Sequence, residues 1–278
     1  MLNAQLPFAF LAASGTGEEE GIAEVVMHHI ANSPVHLPAW LEPYLGDLFH
    51  TLHITKAVMM MLIASTLLIV VMGVFLRRPK LGYSAPRGMA NALEAMVVFV
   101  RDEVAISNMG KKWGRRFTPF LLTLFFFILT CNMLGLVPGG FTATSNLNVT
   151  GTLALMSFFT FLVTGIYALG PVGYVKHMVP QGTPLVIAPV VVILEVISTL
   201  VRPAALMIRL GANMTAGHIV ILIILGFIFL FQSVLVSAIS VPLAVAITLL
   251  ELIVALIQAY VFTLLTALYV GLLVADEH

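Results

Sequence analysis

Residues 184–229 read PLVIAPVVVILEVISTLVRPAALMIRLGANMTAGHIVILIILGFIF, and only Glu195, Arg202 and Arg209 in that stretch carry a formal charge. A helix needs about 20 apolar residues to cross the hydrocarbon of a bilayer. As continuous helix this stretch would be roughly 70 Å long, about twice that thickness. Residues 234–274 form a second stretch of the same kind. Stretches this long are steeply inclined helices, broken helices, or pairs of short ones. Their polar residues are too sparse to mark four clean spans, so two long tilted helices are expected.

Working outward, three runs of ordinary length come first: 54–76, closed by Arg77, Arg78 and Pro79; 117–137, ended by Pro138-Gly139-Gly140; and 149–169, ended by Gly170-Pro171. Between the first two lies 84–106, of different character. Met89, Leu93, Met96, Val97, Val100 and Val104 recur at helical spacing, while Arg87, Glu94 and Arg101 repeat every seven residues elsewhere on the surface. That is an amphipathic helix suited to the membrane interface or to other helices. The fold class expected is an all-α, polytopic membrane protein with about five crossings and one interfacial helix. Residues 1–53 would form a tail and 54–278 the membrane domain.

Composition agrees. Of 278 residues, 60% are apolar and 9% charged, and mean hydropathy is +1.07. A soluble domain carries roughly 25% charged residues, so lipid must be much of this chain's solvent. Net charge is zero, which gives no sign of nucleic-acid binding. Cys131 is the only cysteine, which excludes an intramolecular disulfide or a cysteine metal cluster. There is no GxxxxGK[ST] phosphate loop, since Gly110-Lys111-Lys112 lacks both the upstream glycine and the hydroxyl. No nucleotide, cofactor or metal is therefore expected. The histidines of the N-terminal tail (His28, His29, His36, His50, His53) read as a solvated segment. A short apolar stretch at 8–13 has no basic residue before it, which argues against a secretory signal, although small residues follow it as they do in a cleavable one.

Lysine and arginine placement sets the orientation. Nine of the thirteen lie between Arg77 and Arg116, which makes that segment cytoplasmic, and Lys176 with His177 marks a second cytoplasmic turn. The tail holds Glu18, Glu19, Glu20 and Glu24 without a cation, and 139–148 has no charge; both belong outside. Five crossings then put the N-terminus outside and the C-terminus inside.

Ionisable groups within a span are costly, so their default reading is functional. Glu195, Arg202 and Arg209 are spaced by seven and Asn213 follows by four, so the four share one helical stripe, with Ala205, Ala212 and Ala216 close to it. Small residues there let another helix approach. For Arg202, an ion pair that holds helices together is as good a reading as a functional one. Arg209 has no carboxylate within a turn or two of its own helix. His218, nine residues on, falls on the opposite face and about 13 Å farther along. Glu251 and Gln258 share a face of the last helix, with Glu251 on its outer half. By depth, His218 and Glu251 lie outside Arg209, and Glu195 with Glu277-His278 lies inside. Two polar groups on either side of a fixed cation describe two half-pathways that do not join. A guanidinium keeps its proton, so it can block a proton wire and attract a partner's carboxylate, but it cannot relay. A lone intramembrane histidine more often bonds a backbone carbonyl; paired in depth with Glu251, His218 reads better as part of transport.

These residues match a known family. Arg202-Pro203 and Ile208-Arg209-Leu210-Gly211-Ala212-Asn213-Met214-Thr215-Ala216-Gly217-His218 resemble the signature helix of subunit a of the F-type ATP synthase. Asn132-Met133-Leu134-Gly135-Leu136-Val137-Pro138, Glu251 with Gln258-Ala259-Tyr260-Val261-Phe262, and the Asp276-Glu277-His278 end follow in family order. Gly211-Ala212 departs from the pattern, since many members have a bulkier residue and then glycine. The resemblance implies a stator subunit, not an enzyme by itself, whose last two helices form a tilted hairpin along a ring of c subunits. It also implies a b-subunit stalk as partner and a bacterial inner membrane as location. Arg209 would face the ring carboxylate, with Asn213 and Gln258 as polar neighbours. His218 and Glu251 would be the coupled pair of the outer half-channel, and Glu195 the acid of the inner one. The translocated ion, H+ or Na+, stays open, because its coordinating site would be on the c subunit. The alternative is a self-contained secondary ion transporter, which would usually show internal repeats with matching helix breaks; none is visible.

Overall fold

Long apolar runs without helix breakers form helices, and the chain follows that rule closely. The computed structural model describes residues 55–75, 88–137, 140–177, 179, 183–184 and 187–274. The order is α1 (Lys56–Phe75), α2 (Met89–Phe99), a π-helical segment (Val100–Ile106), α3 (Ser107–Gly135), a 3-10 turn (Ala143–Ser145), α4 (Leu147–His177), α5 (Ala188–Phe231) and α6 (Val234–Val274). Among the described residues, five helices are long and apolar enough to cross a membrane. The protein is an all-helical, multi-pass membrane protein. The N-terminal tail, Arg87 and the Glu277-His278 end lie outside the described residues.

The two longest stretches are each one helix, 44 residues in α5 and 41 in α6. Pro203 and Pro242 sit inside them without ending them. The lost backbone donor is tolerated in membrane helices, where neighbouring groups re-satisfy the freed carbonyl.

The amphipathic segment differs from the expectation in one respect. It does not stop at Ile106 as a separate helix but runs through the π-helical turn into α3, because no residue there breaks the helix. The break comes at Gly110, whose φ of 72° and ψ of 171° are open to glycine alone. Gly170, before Pro171, repeats the same break in α4 with φ 70° and ψ 163°. The expected faces are present except at Met89, which is exposed. Leu93, Met96 and Val97 are half-buried and Val100 and Val104 buried, whereas Glu94 and Arg101 are exposed. Arg101 Nε donates to Asp102 Oδ1 at 2.7 Å on that polar side.

The chain falls into two compact units. Of the described residues, the first takes 55–64, 130–137, 140–146 and 210–256. Its core holds Cys131, Phe141, Leu210, Met214, Ala244 and Ala255. The second takes 65–75, 88–129, the described part of 147–209, and 257–274. Leu121, Phe125, Ile128, Phe161, Leu206, Phe262 and Val270 are buried in it. There the Thr266 hydroxyl donates to Ser157 Oγ at 3.3 Å. A Cβ on Gly271 would run into the carbonyl of Asn108, so that glycine allows α6 to meet the start of α3. Ile69 and Val74 on α1, and Leu194, Ile197, Leu200 and Val201 on α5, stay exposed. Large apolar surface of that kind requires lipid or a partner subunit.

Candidate functional site

Within the first unit, α6 carries Glu251 into the interior, where it is 5% exposed. Neither carboxylate oxygen has a hydrogen-bond partner among the described residues. Its one polar neighbour of note is His218 on α5, with Nδ1 3.7 Å from Oε1, close enough for an ion pair but too long for a hydrogen bond. Gly217 makes that approach possible: a Cβ there would fall onto Glu251 Oε1. An isolated ionised carboxylate in an apolar interior is costly enough that it either neutralises or reaches water. Glu251 borders a cavity of about 430 Å³ that also touches His218, Thr142, Ser145 and Thr215. A cavity of this size with several polar groups on its wall can hold water.

Described residues of the segment between α3 and α4 close one side of this cavity, and several of them are tied down. Asn132, fully buried, donates through Nδ2 to the Ala255 carbonyl at 3.2 Å and accepts from the Thr144 hydroxyl at 2.6 Å. The Ser145 hydroxyl and backbone N–H both donate to the Thr142 carbonyl, at 2.7 and 3.0 Å. Thr215 Oγ1 reaches the carbonyls of Gly211 at 2.9 Å and Ser145 at 3.3 Å. The Thr142 hydroxyl is hydrogen-bonded to His218 Nε2. A Cβ on Gly135 would overlap that hydroxyl, so the end of α3 is shaped to admit it.

The other expected site residues fall as follows. In the second unit, Arg209 is exposed and has no hydrogen-bond or ion-pair partner among the described residues. Ala205, Ala212, Asn213 and Ala216 are also exposed, while Leu206, Leu210, Gly211 and Met214 are buried. The face of α5 that presents Arg209 is therefore the outward one, and it is lined with small side chains. Gln258 is buried in the second unit at 9% exposure. Glu195 and Arg202 pair with each other, Arg202 Nη2 donating to Glu195 Oε1 at 2.9 Å. The Arg202 guanidinium also lies 5.1 Å from the Tyr269 ring centre and 6.0 Å from that of Phe161. The ion pair lies within α5 and so does not itself join helices; the contacts of the guanidinium with the Phe161 and Tyr269 rings are what reach α4 and α6. Among the described residues, no three His, Cys, Asp or Glu side chains come together in a way that could hold a metal.

The profile of the family described as ATP synthase A chain matches residues 58–271. The chain belongs to that family. It is 50% identical to ATP synthase subunit a of Myxococcus xanthus over 237 residues, which covers 85% of this chain and 78% of that one. ATP synthase subunit a 2 of Chlorobium luteolum is 44% identical over 275 residues, covering 94% and 78% of the two chains. ATP synthase subunit a 2 of Prosthecochloris aestuarii is 43% identical over 286 residues, covering 99% and 86%.

For this member of the A chain family, the sequence reading left the cavity wall unassigned. Thr142, Ser145 and Thr215 were not among the expected site residues, nor was Asn132 as a tie to the Ala255 carbonyl. One signal for the loop is in the sequence: Thr142-Ala143-Thr144-Ser145-Asn146 is rich in hydroxyls yet free of charge. Irregular backbone at membrane depth survives only when buried in protein or lining a wet cavity.

Proposed function

We propose that this chain is the membrane stator subunit of a rotary ATP synthase, which couples proton flow across a bacterial inner membrane to rotation of a c-subunit ring. The observation that carries this reading is Glu251: a buried carboxylate with no hydrogen bond among the described residues, facing His218 across 3.7 Å at the border of a cavity. A purely structural anchor has no use for such a group, and the membership of the A chain family supplies its context.

In this reading protons enter from the outside by way of His218 and Glu251. Both side chains exchange protons readily, which a guanidinium does not. The proton passes to a carboxylate on the rotor. Once neutral, that carboxylate can face lipid, where its charged form would be far costlier. After nearly a full turn it releases the proton to the inner pathway near Glu195. Arg209 favours the ionised form of the rotor carboxylate by its charge, and Asn213 and Gln258 are its polar neighbours. Supporting this role, Arg209 is exposed, has no ion-pair partner among the described residues, and lies among small residues that let a partner helix come close.

ATP chemistry takes place on other subunits, and the b-subunit stalk holds the stator. A membrane potential of 100 mV supplies about 2.3 kcal/mol per charge moved, so several protons must pass per ATP. The N-terminus faces outward and the C-terminus the cytoplasm, as the lysine and arginine placement favours. Residues 54–278 would make up the membrane domain, with 1–53 as its extracytoplasmic tail.

Glu251→Gln tests the outer pathway. In membrane vesicles stripped of the soluble ATPase sector, passive proton flux should fall well below wild type. Unchanged flux would remove Glu251 from the pathway.

A further inference from the structure

We infer that Thr142 is a positioning residue for the outer pathway: its hydroxyl fixes the His218 ring and serves as its partner in both protonation states. This rests on the reading of His218 and Glu251 as that pathway. His218 has two ring nitrogens. Nδ1 points to Glu251 Oε1 at 3.7 Å, and Nε2 is bonded to Thr142 Oγ1. The ring therefore bridges a carboxylate on α6 and a hydroxyl from the loop between α3 and α4.

The choice of a hydroxyl is chemically specific. Beside an ionised Glu251 the neutral ring does best with its proton on Nδ1, which leaves Nε2 as an acceptor for the Thr142 O–H. When the ring is doubly protonated, Nε2 becomes a donor, and the same hydroxyl rotates to accept from it. A hydroxyl can do both; a carbonyl or an ammonium can do only one. Nε2 of His218 thus keeps its partner whether the ring gains or loses a proton, and losing that partner is costly.

Thr142 is built to hold that position. It is 1% exposed, its carbonyl takes two hydrogen bonds from Ser145, and Gly135 leaves room for its hydroxyl. Among the described residues His218 is the hydroxyl's side-chain partner. Among the described residues of the cavity wall, the titratable group that faces the ring is Glu251, and the remaining polar side chains are hydroxyls.

The test is passive proton flux in vesicles stripped of the soluble ATPase sector, measured from pH 5.5 to 8.5 and normalised to assembled complex. Thr142→Val keeps the shape and removes the hydroxyl; Thr142→Ser keeps the hydroxyl. Thr142→Val should lower flux about tenfold, the effect on a rate of losing one hydrogen bond of ordinary strength. Its pH profile should differ from wild type, because Nε2 of the ring has lost its fixed partner. Thr142→Ser should stay within about twofold of wild type, since one hydroxyl replaces another. A wild-type rate and profile for Thr142→Val, in membranes where Glu251→Gln slows flux, would overturn the role of Thr142 and leave the pathway standing. Unchanged flux in Glu251→Gln would overturn the pathway and this role together. If Thr142→Val does not assemble, Thr142→Ala against Thr142→Ser decides, and equal flux in those two overturns the inference.

Discussion

At Glu251 and Gly217 the chemistry depends on the absence of a single methyl group. The carboxylate reaches its site because α5 has no side chain at 217, and a Cβ there would occupy the place of Oε1. Gly217→Val should therefore push Glu251 out of the cavity wall. Overpacking of this kind costs about 1–3 kcal/mol, so the complex should still assemble at somewhat lower stability while passive proton flux drops steeply. Native gels paired with flux measurements separate the two effects; normal flux at normal assembly would mean that Glu251 works from another position. His218 and Glu251 could be picked out from sequence because ionisable residues are rare in membrane helices. Thr142 could not, since threonines are common there and its significance lies in what it touches, seventy-six residues away. Glu195 and Arg202 lay between these cases: a spacing of seven aligns them on one helix face, but only coordinates distinguish a paired acid from a free one.

Among the elements, the unbroken length of α5 and α6 follows from apolar runs whose prolines do not stop them. Polar residues too sparse to mark four spans favour two long helices over four short ones, and each stretch is one helix. The joint between the amphipathic segment and α3 was less legible. Hydrophobic periodicity reports faces, not ends, and the break at Gly110 is a backbone property that periodicity does not carry. Gly170 gives a clean test of such a break. Apart from its own stretch of backbone, no described atom lies within 4 Å of where its Cβ would be, so a substitution there bears mainly the cost of its φ of 70°. Gly170→Ala should lower stability by about 1–3 kcal/mol, read as a lower midpoint in thermal unfolding of the detergent-solubilised complex. An unchanged midpoint would show that α4 can run straight through Pro171.

For the whole molecule, function requires a partner that this chain does not contain. The outward face of α5 presents Arg209 and Asn213 between alanines, and α1 and α5 expose large apolar side chains that only lipid or other subunits can cover. In the proposed account Arg209 never carries the proton; it keeps two dead-end pathways apart and holds the rotor carboxylate ionised as it passes. The most direct test of that claim is Arg209→Ala in inverted membrane vesicles carrying the whole complex, assayed for ATP synthesis driven by a proton gradient and for proton pumping driven by ATP. Both should be abolished while the complex still assembles, because without the fixed cation protons can cross without turning the rotor, or the rotor can turn without moving them. Retention of both coupled activities would contradict the account.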